Sequence, residues 1–246
     1  MPTRPPSGTH TSLAPDLDRS PSGVDLLGTW EDRLSAWAGH SPRRYSGGVN
    51  PTDQRIKTGG HTKRSRRDEI LEIAVGLIAA RGYHGVSMDD IGAAAGVTGP
   101  ALYHHFAGKE AMVVAALIPV SEGLLSGGMA LADEHAGDPG ALLDSLLDFH
   151  VAFALENPAA IALHLHELDR LPEEPRRAIR RLQRLYVEIW VQTLILLRPE
   201  LADEEARVLA HAAFGLMNST PFIAADVDRD RRAELLRAAT LSALTG

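Results

Sequence analysis

The chain has 246 residues, 44% of them apolar and 23% charged, an ordinary globular composition with room for a small domain beside a larger one. Its net charge of -7 argues against a surface that binds nucleic acid everywhere, and the absence of cysteine excludes disulfides, thiolate zinc sites and cysteine redox sensing. No run approaches the roughly 18 to 20 uninterrupted apolar residues that cross a bilayer, and the opening MPTRPPSGTHTSLAPD lacks the apolar core of a signal peptide, so a cytoplasmic protein without a membrane partner is expected.

Residues 1–60 are rich in Pro, Ser, Thr and Gly and read as a disordered leader. Within it, Leu27, Trp30, Leu34 and Trp37 recur at three- and four-residue spacing. A short amphipathic docking helix and a weakly structured leader are both open readings of that spacing. From Gln54 to Arg67 the charged residues are Arg55, Lys57, Lys63, Arg64, Arg66 and Arg67, with no acid among them. This is either a basic arm on an acidic protein or a solvated linker.

Ile70, Leu71, Ile73, Ala74, Leu77 and Ile78 then trace one face of a helix from Arg66 to Arg81, with Gly82 placed to stop it. Ser87 caps a second helix that has acids in its first turn and ends near Ala95; Gly96 and Val97 form the turn. Thr98 is placed to cap a third helix with Pro100 as its second residue, running to Phe106. A fourth opens near Lys109 and runs toward a kink expected at Pro119. Beyond it, helical periodicity over 120–136, 139–156, 158–170, 174–197, 203–225 and 230–244 is broken at Gly137-Asp138-Pro139, Asn157-Pro158, Leu171-Pro172, Arg198-Pro199 and Asp228-Arg229. No alternating strand pattern occurs, so the expected class is all-α. The expected divisions are a leader over 1–60, a head over 61–118 and a helical bundle over 119–246.

A helix-turn-helix needs a Gly turn, apolar residues that pin the second helix, and an outward polar face for the major groove. Ile91, Ala95, Val97, Leu102 and Phe106 form such an inner face, and Thr98, Gly99, Ala101, Tyr103 and His104 point outward. Short helical hairpins in enzymes mimic this pattern. The run from Arg66 to Leu117, however, with DDIGAAAGVTGPALYHHFAGKEAM at its centre, resembles the DNA-binding domain of the TetR family of transcriptional repressors over about one fifth of the chain.

That resemblance implies a three-helix DNA-binding head followed by a larger helical effector-binding and dimerisation domain. It also implies that Tyr103 touches phosphate or a thymine methyl, that His105 and Lys109 meet phosphate, and that Phe106 is core. Such phosphate contacts fix register and carry little sequence information. Base reading then falls to Thr98, Gly99, Ala101 and His104. With so few hydrogen-bonding readers, reliance on DNA shape is expected, with Arg64, Arg66 and Arg67 as an arm in a minor groove.

The resemblance further implies a homodimer built by the last two helices, an inverted-repeat operator in double-stranded DNA, and release by a small molecule. Ala206, Ala210, Ala213 and Gly215 would let two helices approach, with Ala210 and Phe214 in the interface, unless they pack within the chain. Effector contacts are sought among His150, Phe153, His164, His166, Tyr186, Trp190, Met217 and Asn218, because such pockets are apolar with few polar groups. The FGLMNSTP stretch looks like one in a TetR branch associated with lipid and acyl-CoA metabolism. No cofactor or metal is expected, since His164 and His166 stand two apart on a helix and face differently. Two rival readings are a small His-dependent enzyme, which a pocket joining His150, His164 and His211 would favour, and a constitutive DNA-binding protein with a filled second domain.

Overall fold

The computed structural model describes residues 65–223 and 226–246. The leader and Arg55, Lys57, Lys63 and Arg64 lie outside the described residues. Within them the chain forms nine α-helices and two short 3-10 turns, with no strand. Helix α1, Arg66–Arg81, starts at Ser65, whose hydroxyl accepts the Asp68 N–H at 3.2 Å. Helix α2, Met88–Ala95, has a reciprocal cap: the Asp90 N–H donates to Ser87 Oγ at 3.0 Å and the Ser87 N–H to the Asp90 carboxylate at 2.8 Å. Each of these satisfies an N–H that the helix itself leaves without a partner. Gly96 ends α2 at φ 63° and ψ 38°, a left-handed conformation that disfavours residues carrying a Cβ. The chain therefore turns at once into α3, Gly99–His105. Thr98 occupies the N-cap of α3, but its side chain makes no capping bond.

Helix α4, Lys109–Glu134, departs from expectation because it runs through Pro119 instead of dividing there. Proline gives the Ala115 carbonyl no N–H. The helix nevertheless persists because Leu117, Ser121, Gly127, Gly128 and Ala132 are buried beyond the head as well as within it. Neighbouring polar groups adjust too, with the Ser121 hydroxyl donating back to the Leu117 carbonyl at 2.8 Å. The expected division at 118/119 thus falls inside one helix. The stretch 99–134 is long and apolar enough on average, by length and composition, to cross a membrane, although it holds no uninterrupted apolar run of that length. In this fold α4 is instead the central helix, packed against α1, α5 (Pro139–Glu156), α6 (Pro158–Glu167) and α7 (Glu173–Leu197).

Helices α8, Asp203–Met217, and α9, Arg229–Thr245, complete the bundle. The segment expected to be helical over 203–225 stops as an α-helix at Met217 and continues as a 3-10 turn, Thr220–Phe222. Buried Glu188 on α7 accepts from Arg207 on α8 at 2.9 Å, and Arg237 on α9 reaches Asp148 of α5 at 2.7 Å. A single core cluster joins the head to the body. It contains Ile70, Ile78, Ile91, Leu102, Phe106, Met112 and Leu117 together with Leu163 and Leu168 of the α6 region. The joint is also polar. Buried Glu167 accepts the Tyr83 N–H at 3.2 Å and pairs with Arg170 at 3.0 Å, while Arg170 donates to His84 Nε2 at 2.6 Å.

Candidate nucleic-acid interface and interior cavity

Helix α3 is pinned through two side chains, Leu102 (fully buried) and Phe106 (3% exposed), which fixes which face looks outward. On that outward face Thr98, Ala101, Tyr103 and His104 are exposed, whereas Gly99 and His105 are half-buried. Tyr103 stands 56% exposed, so its ring and hydroxyl are open to a partner on this face.

The basic residues are placed differently from an extended arm. Arg66 and Arg67 are the first two residues of α1. Arg66 donates to the Ala95 carbonyl at 2.5 Å and to Glu69 at 2.7 Å, so it closes the C-terminus of α2 onto α1. The Arg67 guanidinium lies 4.5 Å from the centre of the Phe106 ring, beside α3, and keeps its charge exposed. Lys109 is also engaged within the chain. Its ammonium donates to the carbonyls of Tyr83 and Val86 and lies 4.4 Å from the Tyr83 ring centre. These carbonyls border the α1–α2 connection, where a cation is well placed to stabilise them. Any phosphate contact of Lys109 therefore competes with that role. Alanine at Lys109 is expected to lower the melting temperature of the protein as well as its DNA affinity, and a purely DNA-side effect would show the internal bonds to be dispensable.

Within the body a cavity of about 180 Å³ opens between α4, α5, α6, α7 and α8. Leu117, Val120, Leu124, Phe153, Ile161 and Val187 supply apolar wall, and Ser121, His150, His164, Gln183, Tyr186, His211 and Asn218 supply polar groups. Of the residues sought as effector contacts, His150, Phe153, His164, Tyr186 and Asn218 line it. Trp190 and Met217 do not; both are fully buried in packed core. His166 is exposed, near Phe222. Sequence reasoning missed Ser121, Gln183 and Phe214. Gln183 was legible in principle, since it sits three residues before Tyr186 and so shares its helical face.

The polar end of the cavity is built around His150, which is 2% exposed. Its Nδ1 lies 3.2 Å from the Tyr186 hydroxyl and its Nε2 3.1 Å from Asn218 Oδ1. Phe214 packs edge-on at 4.9 Å. Tyr186 lies close against α4 because Gly128 has no side chain: a Cβ there would stand 2.7 Å from the Tyr186 ring. Burial drives the His150 pKa down to about 4, with the Asn218 hydrogen bond opposing, so the ring is neutral. Burial likewise pushes the Tyr186 phenol up. His164 accepts at Nδ1 from Gln183 at 3.0 Å, and burial lowers its pKa against the pull of Asp169.

The three histidines of the enzyme reading do meet at this cavity. Both nitrogens of His150 are engaged within the protein, however, and among the described residues no group of three metal-ligating side chains assembles.

Comparison with known proteins agrees with this geometry. Residues 70–116 match the family of bacterial regulatory proteins named tetR, and residues 136–222 match the tetracyclin repressor-like C-terminal domain, together more than half of the chain. The HTH-type transcriptional repressor KstR2 of Mycobacterium tuberculosis is 33% identical over 112 residues, covering 46% of this chain and 56% of that protein. The chain thus spans about half the length of that curated relative. A TetR-family regulator from Bordetella parapertussis superposes with a TM-score of 0.65 at 27% identity, covering 72% of this chain and 95% of that one. The ketosteroid transcriptional regulator KstR2 of Mycobacterium tuberculosis superposes with a TM-score of 0.64 at 25% identity, covering 73% of this chain and 94% of that one.

Proposed function

Because the chain belongs to the TetR family of DNA-binding transcriptional regulators, which are not enzymes, we propose that it is a homodimeric repressor released from an inverted-repeat operator by a small molecule. The observation that carries this reading is the shared core: Leu102 and Phe106, which hold the reading helix, pack in the same cluster as Leu163 and Leu168 of the α6 region. Ile161 and His164 of α6 face the cavity. A ligand that favours one placement of α6 thereby biases the placement of the head, and it acts only through its different affinity for the two states. The open cavity also speaks against a constitutive DNA-binding protein with a filled body. Its mostly apolar wall suits a lipid-derived effector, acyl-CoA compounds included, and a cytoplasmic location follows from the proposed work on DNA.

Helices α8 and α9 form the proposed dimer face, and of the residues first expected there only Gly215 belongs to it. Ala206, Ala210 and Ala213 are fully buried within the chain, and Phe214 lines the cavity, so the small residues serve intrachain packing. The outward stripe of α8 carries Val208, Ala212, Gly215 and Leu216, and that of α9 carries Leu235, Ala238, Ala239 and Ala243, all exposed. The first stripe follows i, i+4, i+7, i+8 and the second i, i+3, i+4, i+8, each the spacing of one helix face. Two copies of such a face would place two heads for two half-sites.

The test is selection of bound sequences from random duplex DNA followed by affinity measurements on variants. Tyr103→Ala is expected to weaken binding to all sequences alike, whereas His104→Ala should alter preference at one base position. Arg67→Ala should flatten the dependence of log affinity on log salt by about 0.9 if that guanidinium reaches a phosphate. Unaltered base preference in His104→Ala would remove this residue from the reading face.

A further inference from the structure

The hydrogen bonds at the polar end of the cavity have a fixed direction. A phenol needs an acceptor for its proton once it is buried, and the acceptor offered to Tyr186 is His150 Nδ1, at 3.2 Å. An imidazole that accepts at Nδ1 and is neutral carries its proton on Nε2. That proton is donated to Asn218 Oδ1 at 3.1 Å. Oxygen toward His150 leaves the Asn218 Nδ2 group as a pair of N–H donors, and among the described residues its side chain has no second protein partner. Asn218 itself lines the cavity.

The geometry points to a ligand that carries a carbonyl-type acceptor on an otherwise apolar body, the acceptor seated on Asn218 Nδ2 by the relay from Tyr186 through His150. This rests on the reading of the cavity as the effector site and names the chemistry that the site selects. The surroundings set the rest of the class. Phe153, Ile161 and Phe214 require an apolar frame. A group offering only donors would confront a donor, leaving both buried without partners. The volume, about 180 Å³, exceeds the ~150 Å³ cavity that holds a benzene, so a single six-membered ring fits without rearrangement.

Three shape-matched probes test the assignment on the full chain: cyclohexanone, methylenecyclohexane and cyclohexylammonium, with dissociation constants from NMR shift changes. Cyclohexanone is expected to bind about tenfold more tightly than methylenecyclohexane, and cyclohexylammonium least. The ratio should fall to about one in Asn218→Leu. Tyr186→Phe should lose it as well, because His150 then takes either tautomer and Asn218 turns freely, while affinity for methylenecyclohexane is kept. A structural role alone would lower all three affinities together. Equal binding of ketone and hydrocarbon to the wild type, retention of the ratio in Asn218→Leu, or failure of all three to bind each overturns the inference. Operator affinity measured alongside separates the two readings. Discrimination without any effect on DNA would remove the effector role and leave the ligand chemistry; DNA release by hydrocarbon and ketone alike would do the reverse.

Discussion

Replacing Val208 by arginine should convert the protein to monomers and lower operator affinity by about 10²- to 10⁴-fold, the advantage that linking two reading heads ordinarily confers. Val208 is 67% exposed in the middle of the outward stripe of α8, so the substitution adds a charge where the single chain has only solvent. The fold of one chain should therefore survive, while two such faces could not meet without burying unpaired guanidinium groups. A second variant gives the opposite sign for the two quantities. A Cβ at Gly215 would meet no atom within 4 Å, and glycine costs an α-helix roughly 1 kcal/mol relative to alanine. Gly215→Leu should thus stabilise the single chain while holding the two faces apart. Sedimentation velocity gives the oligomeric state and fluorescence anisotropy gives the operator affinity. If Val208→Arg remains a dimer with full affinity, the dimer face lies elsewhere on the bundle.

Ala213 separates the two meanings of a small-residue pattern. It is fully buried on the inner side of α8, so glutamate there should disrupt the chain's own packing before any dimer contact is reached. The spacing of alanines states that a helix is approached closely; it does not state by which neighbour. Phase along α8 resolves the question only once one face is known to be occupied, because both faces of this helix are rich in small residues.

The local rules were the legible part. Ser87, Pro100, Pro139 and Pro158 mark helix starts by chemistry that acts within a few residues, and the helices they open begin where these signals stand. Pro119 misled for a related reason: its missing N–H is a local penalty, whereas the continuity of α4 is decided by tertiary packing along 26 residues. Lys109 and Arg66 were opaque in the same way. A basic residue beside a reading helix has the same letter whether it awaits phosphate or donates to the carbonyls of Tyr83, Val86 and Ala95. Trp190 was taken for a cavity residue because such pockets are largely apolar, but the cavity ends short of it and the indole is fully buried in the core.

His150 should make the protein acid-sensitive in a defined window. Its folded pKa, about 4, is depressed from the ordinary value of 6.5, because burial penalises the charged ring. Between these values the unfolded chain binds the proton and the folded chain does not, so stability rises with pH across that interval. The contribution is fully present above 6.5 and is lost as pH falls toward 4. Each pH unit of the interval corresponds to about 1.4 kcal/mol, which makes the whole roughly 3 kcal/mol, a large share of the margin of a typical domain. Carboxylates titrate in the lower part of the same range, so the quantity to read is the difference between wild type and His150→Gln. The glutamine variant is expected to be less stable at pH 7, through lost ring packing against Phe214, yet to lose much less on acidification. Chemical denaturation of both proteins at intervals between pH 4 and pH 7 gives the two slopes. Parallel slopes would mean that the ring is not buried neutral in solution, and the fixed direction of the bonds from Tyr186 to Asn218 would fall with it.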